Sequence, residues 1–157
     1  MSQTTVTQYG NAGMAGQLYD TGFTDTVSYS AEGAVGFGVP VQLGTTKDRQ
    51  VKVLTTSAGQ AALAVGISQH TYSVEQSSAG VVQYADKQSV SMLKRGRIWV
   101  NTDDAVVAGA VANLKLSSGL FTDEAVAAGI EAFTQISVRF VTGTTAAGLA
   151  VVEVNQK

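Results

Sequence analysis

Few residues in this sequence are equipped for catalysis. One histidine, His70, stands in Ser68-Gln69-His70-Thr71-Tyr72, and there is no cysteine. A lone imidazole works as a general base only with an acid to orient it and a nucleophile within reach. The neighbouring sequence suggests neither, so His70 reads as a surface or strand-end residue. Asp103-Asp104 and Asp123-Glu124 are the adjacent acid pairs. A calcium loop normally supplies about six to eight oxygen ligands in a defined order, and that order is absent. Adjacent residues on a strand also point to opposite faces, so Asn101-Thr102-Asp103-Asp104 reads as a turn with Asx side chains bonded to backbone. No metal and no cofactor is expected, and the chain reads as non-enzymatic.

Gly33-Ala34-Val35-Gly36-Phe37-Gly38 is glycine-rich but matches neither the dinucleotide nor the P-loop pattern. It precedes a strand, whereas phosphate loops follow one and open a helix. Its glycines are expected to supply positive φ or close backbone approach where the N-terminal segment enters the domain. Lys94-Arg95-Gly96-Arg97 is the one basic cluster. A nucleic-acid surface calls for several such patches with interleaved aromatics. Ten Lys+Arg against twelve Asp+Glu, a net charge of −2, exert no long-range pull on nucleic acid or anionic membrane. Two readings of the cluster stay open. It is a subunit contact, with guanidinium forks meeting carboxylates on an acidic neighbour, or an ordinary solvated strand end. Nucleic acid, membrane and small-molecule substrate are not expected partners.

The elements that position these residues begin with a distinct N-terminal stretch. Residues 1–26 contain no Lys or Arg, and their larger apolar groups are Val6, Tyr9, Met14, Leu18, Tyr19 and Phe23, scattered among Gly10, Gly13, Gly16 and Gly22. That spacing fits neither a helical stripe nor strict alternation. A frayed tail is the plain reading, but frayed tails are poor in aromatics. We therefore read residues 1–26 as an extended arm that binds a partner through Tyr9, Met14, Leu18, Tyr19 and Phe23. Ordering the whole arm costs more conformational entropy than burial of those side chains returns. Either part of it orders, or its backbone also adds to a sheet edge.

Residues 27–157 read as a single mainly β domain, a small barrel or sandwich. Val39, Val41 and Leu43 share one face, Pro40 confines the segment to an edge or strand start, and Gln50-Val51-Lys52-Val53 is its hairpin partner across a polar turn. Leu63-Ala64-Val65-Gly66-Ile67 sets large residues on one side and small ones on the other. Ile136, Val138 and Phe140 alternate with Gln135, Ser137 and Arg139, and Gly148 to Asn155 is apolar on both faces and so central. From Ser89 to Asn101, Val90 and Met92 share a face with Ile98 and Val100 through Lys94 and Gly96, which predicts two strands joined by a bulge or bend near Gly96. Asp123 to Ala128 is expected to form one or two helical turns, limited by Gly129.

The chain is long enough for one domain. It is 45% hydrophobic and only 14% charged, against an average near 25% charged, which suits a protein that ends packed against others. No stretch reaches the ~20 apolar residues of a membrane span. The opening Met1-Ser2-Gln3-Thr4-Thr5-Val6 lacks a signal-peptide pattern, so synthesis and folding are expected in the cytosol.

Several segments, in order, resemble the phage structural cement (capsid decoration) proteins. They are Ser30 to Val41, Gln50-Val51-Lys52-Val53, Ala64-Val65-Gly66-Ile67, Leu93-Lys94-Arg95-Gly96-Arg97-Ile98-Trp99-Val100, Ala108-Gly109 and Gly148 to Val154. The stretch Leu120 to Phe133 departs from that pattern, being longer and richer in Ala. The resemblance implies a protein that binds the outside of an assembled phage head through a compact, jelly-roll-like β domain with an extended N-terminal arm, with the major capsid protein and its own copies (dimer or trimer) as partners. It implies location on the virion after synthesis in the host cytoplasm, and it carries no catalytic residues. The alternative is a glycan- or receptor-binding module of a tail or surface appendage, using Trp99, Tyr72 and Tyr84.

Overall fold

The computed structural model describes residues 13–74 and 80–157. Among the described residues ten strands follow one another: β1 (Asp25–Ala31), β2 (Pro40–Leu43), β3 (Gln50–Val53), β4 (Ala64–Ser68), β5 (Ser89–Thr102), β6 (Asn113–Lys115), β7 (Leu120–Thr122), β8 (Ile130–Ala132), β9 (Ile136–Phe140) and β10 (Gly148–Gln156). One 3-10 turn, Ala61–Leu63, precedes β4, and no α-helix occurs among the described residues. The mainly β barrel expected from the alternating Val-rich segments is the fold.

Five strands close on themselves in the order β1-β3-β2-β4-β5, with β5 returning to β1. Closure leaves these five without a free edge. β1 and β3 run parallel, and the other contacts of the ring are antiparallel. The β2–β3 hairpin forms where the alternation placed it, with Pro40 as the first strand residue, where its missing N–H is tolerated. The turn is held by Glu32, whose carboxylate accepts from the Thr45 backbone N–H and, at 3.0 Å, from its hydroxyl.

Each ring strand sends residues into the barrel: Ala31, Val41, Val51, Val65, Val90 and Met92, joined by Val35 and Tyr84. A second, larger core lies outside the wall, under the outer strands. There Ala64, Ile67, Leu93, Ile98 and Val100 meet Leu114, Phe121, Phe133, Val138, Phe140, Ala150, Val152 and Val154. β10 is central to this layer, pairing with β5 along Gly148–Asn155 and with β9 along Val152–Gln156. β9 alternates buried and exposed residues as its sequence does.

Two irregularities let single strands serve both cores. On β4, Val41 faces Gly66 while Gln42 faces Ala64, so Val65 is an extra residue. The bulge turns Val65 into the barrel and leaves Ala64 and Ile67 on the outer core. The expected division of this strand into a large and a small side is replaced by burial on both faces.

β5 carries the more consequential correction. It is one continuous strand of 14 residues rather than two joined by a kink. Asp25 pairs with Arg95 but Thr26 with Leu93, which leaves Lys94 as the extra residue, and Gly96 sits at φ 136°. The bulge is where the sequence placed it, yet its effect is opposite to the expected one. By shifting the alternation it puts Val90 and Met92 inside the barrel and Leu93, Ile98 and Val100 in the outer core, so the two apolar pairs do not share a face.

The helical turns expected at Asp123 to Ala128 do not form. The backbone there is committed to neighbours: Asn113 Nδ2 donates to Glu124 O, and Ala127 and Ile130 exchange backbone bonds across a tight turn, while the Asp123 carboxylate accepts from Val107 N.

Candidate functional site

The second half of β5 is the platform. Its backbone pairs with β10 on one edge. On the other edge Trp99 N donates to Gln17 O (2.9 Å), Gly16 N to Trp99 O (2.7 Å) and Tyr19 N to Arg97 O (3.0 Å), with Leu18 bridged antiparallel to Ile98. Residues 16–19 therefore act as an added strand along β5. The sheet edge that the N-terminal segment uses is, from Gly16 onward, one of its own chain.

Glycine makes that approach possible. Gly16 has φ +83°, and a Cβ there would lie 2.7 Å from His70 N and 2.8 Å from Gly38 N. Gly38, at φ +68°, would place a Cβ 2.6 Å from Gly16 N. A side chain at either position would hold the backbones apart. The bond from His70 N to Gly16 O, 2.7 Å, ties the same point to the end of β4. The role expected for the Gly33–Gly38 stretch, close approach where the N-terminal segment joins the domain, is met at Gly38. Gly13 likewise lies flat on the Trp99 indole, where a Cβ would come within 2.4 Å of ring atoms.

The side chains follow from this backbone. Leu18 packs against the outer core. Tyr19, 47% exposed, meets Trp99 edge-on with ring centroids 5.8 Å apart. Arg97 donates Nε to Glu153 at 3.0 Å and Nη1 to Asp20 at 3.3 Å, joining β10 to the N-terminal segment. The Glu153 hydrogen bond, then its charge, raise the guanidinium pKa above its ordinary value. Arg95 lies over the Phe23 ring, 4.8 Å from its centroid. Asp20, Gly22, Phe23, Arg95, Gly96, Arg97, Glu153 and Asn155 line an open notch.

Of the residues singled out from sequence, Tyr19, Phe23, Arg95 and Arg97 thus converge on one face of β5, while Leu18, bridged to Ile98, turns to the outer core on the other. Met14 is near them in sequence, its side chain 44% exposed and its backbone bonded to Gln17. Lys94 is half-buried at the bulge and makes no ion pair among the described residues. Tyr9 lies outside the described residues. Sequence reading missed Asp20 and Glu153, which balance Arg97, and the pairing of Gly16 with Gly38. Asp20 and Asp25 are the sole acids of residues 1–26, and the only positive cluster of the chain was the available hint for a partner.

The other candidates resolve differently. The His70 ring is packed between Phe37 (4.5 Å) and Tyr72 (4.7 Å), and no carboxylate is bonded to it among the described residues. Lys115 binds Asp103 and Asp104, the latter at 3.0 Å, closing the bend that follows β5. Hydrogen bonds from Lys115 and then Ser118 hold the Asp103 carboxyl below its ordinary pKa. No cluster of three or more metal-ligating side chains occurs among the described residues. Of the aromatics proposed for glycan, Tyr84 is 1% exposed and its hydroxyl donates to Gln69 O at 2.8 Å, so it offers no face to a sugar. Tyr72 is 81% exposed, while Trp99 is half-covered by Gly13 and Tyr19.

The fold and the family are known elsewhere. A solved chain described as "The capsid of Myoviridae Phage XM1" superposes with a TM-score of 0.69 at 17% identity, covering 98% of this chain and 97% of that one. At that identity the likeness establishes the fold alone. No curated protein matches the chain. The family model described as "Structural cement protein (E217 gp24/Pam3 gp6)" matches residues 2–155. With the match spanning nearly the whole length and the barrel shared with a capsid chain, this protein belongs to the phage structural cement family.

Proposed function

We propose that the chain is a non-enzymatic decoration protein that binds the outer surface of an assembled phage head and braces contacts between major capsid subunits, acting with other copies of itself. The observation that carries this reading is the build of the β5 face. Residues 16–19 are fixed along β5 by backbone bonds, and Met14, Tyr19 and Phe23 keep much of their surface in water. The segment's own packing is served by its backbone bonds and by Leu18, and it leaves Met14 44%, Tyr19 47% and Phe23 81% exposed, apolar surface that the fold itself does not use. Adhesion by shape and backbone, with no reactive group, accounts for it. The low charge of the chain fits a surface that is covered in use.

The test is binding to undecorated heads of the phage that encodes the chain. Saturable binding at a fixed ratio of chain to capsid subunit, with raised resistance of the heads to heat or chelator, is the expected result. Chain that stays in the supernatant at every concentration would end this reading. Deleting residues 1–12 isolates the part of the segment that precedes Gly13 and leaves the backbone bonds of Gly16 to Tyr19 in place.

A further inference from the structure

The face assembled on β5 divides into two parts with different jobs. Arg97 is internally balanced: Asp20 and Glu153 flank it, and its fork is spent joining two elements of the chain. Leu18 is spent on the core. Phe23 and Arg95 are not. Phe23 is the most exposed Phe among the described residues, and Arg95 is exposed with no ion pair among them. Asp25 is its cross-strand partner. Arg95 makes no salt bridge with it and instead lies over the Phe23 ring. Lys94, the extra residue of the bulge, adds a second cation without a carboxylate partner among the described residues.

The loop that carries Phe23 is held at both ends. Tyr19 N is bonded to Arg97 O before it, and β1 begins at Asp25 after it. Beneath it Gly96 leaves room, since a Cβ there would meet Thr24 Cγ2 at 3.0 Å. The ring is therefore presented on a backbone already ordered, and little further entropy is lost when it docks. Aromatic and Arg side chains that enter a desolvated pocket are the residue types that dominate binding energy in protein interfaces.

We infer that the stacked Phe23–Arg95 pair is a docking knob for a protein surface that offers an apolar socket beside a carboxylate. Charge complementarity selects the carboxylate: Arg95, with no ion pair among the described residues, lies over the apolar ring. A polyanion fits poorly, because one guanidinium without an ion pair answers one carboxylate, while the Arg97 fork in the same notch is already taken by Asp20 and Glu153. This inference rests on the head-binding reading, which supplies the probe.

Undecorated heads are titrated with wild-type chain, F23A, R95E, R95K and, as a remote control, V126S, whose side chain is 62% exposed elsewhere on the surface. Because both residues of the knob are exposed, all variants should melt with the wild type. F23A and R95E are each expected to weaken binding by ~30-fold or more, the loss of a hot-spot residue. The double variant should lose much less than the product of the two, since each residue orients the other. R95K keeps charge but not the planar stack and should fall between. V126S should bind as wild type. If wild type binds and both F23A and R95E stay within about threefold of it, the knob is refuted while head binding stands. If wild type leaves the heads bare, the head-binding reading falls and this inference falls with it. Tight binding of a short DNA duplex that R95E abolishes would replace the carboxylate partner with a phosphate one and overturn the assignment.

Discussion

Replacing Gly16 with Ala tests whether residues 16–19 are held by the close backbone contact described above. Gly16 has φ +83°, which costs a residue with a Cβ about 1–2 kcal/mol. The new Cβ would also stand 2.7 Å from His70 N and 2.8 Å from Gly38 N, both backbone atoms that cannot rotate away. Relief requires the segment to lift, which weakens the bonds Gly16 N to Trp99 O and His70 N to Gly16 O. At ~0.5–1.5 kcal/mol for each, the total reaches about 2–5 kcal/mol. Gly33→Ala is the matched control. Its φ is +84°, but no atom lies within 4 Å of the added Cβ, so only the conformational cost applies. Trp99 is the only tryptophan of the chain and lies under Gly13 and Tyr19, so its emission reports docking directly. Gly16→Ala should shift that emission to the red and lower the denaturant midpoint by more than Gly33→Ala. The two replacements giving equal midpoints and unchanged emission would refute the close-contact argument.

Two further outcomes follow from the charges. Glu32 is held below its ordinary pKa of 4.5, chiefly by the Thr45 backbone N–H and then its hydroxyl, with Lys52 adding less, so the native state binds its proton more weakly than the unfolded chain does. Its contribution is complete above the ordinary value and is lost as pH falls through the lower native one; Asp103 behaves alike. Glu32→Gln should flatten the acid limb of the stability–pH curve and leave the limb above neutrality unchanged. A curve parallel to wild type in acid would contradict the assignment. For Arg97→Gln, the ion pairs lost are more than a third exposed and are screened by salt. The melting point should move little, while amide exchange at residues 19–24 quickens and loses its dependence on salt. Unchanged exchange at those residues would show that Arg97 does not secure the loop.

Much of this architecture could be read from the sequence because it rests on local alternation. β9, β10 and the β2–β3 hairpin declare themselves by period two and by Pro40 at a strand start, which need no knowledge of what packs above them. The helical turns at Asp123 to Ala128 failed for a non-local reason. Alanine favours helix when nothing else claims its backbone, but here Asn113 takes the Glu124 carbonyl and Ile130 exchanges backbone bonds with Ala127. The site was half legible: aromatic residues in the N-terminal segment and one basic cluster were visible, but not that they meet. Their meeting depends on Gly16 passing close to Gly38 and His70, residues 22 and 54 positions further along the sequence.

The bulge on β5 links these two levels. A strand that alternated without interruption would send one set of residues to the barrel and leave the other set facing a single environment throughout. With Lys94 inserted, β5 serves the barrel with Val90 and Met92 and then the outer core with Ile98 and Val100. The same insertion sets the registers of Arg95 and Arg97, one opposite Asp25 and Phe23, the other between Asp20 and Glu153. Were Lys94 instead drawn into regular pairing, so that the bulge was lost with the residue still present, Ile98 and Val100 would turn toward the wrong side, a change no surface substitution could mimic. The cation cluster and the change of core are one feature of the backbone, which is why the exposed pair sits where the fold is least regular.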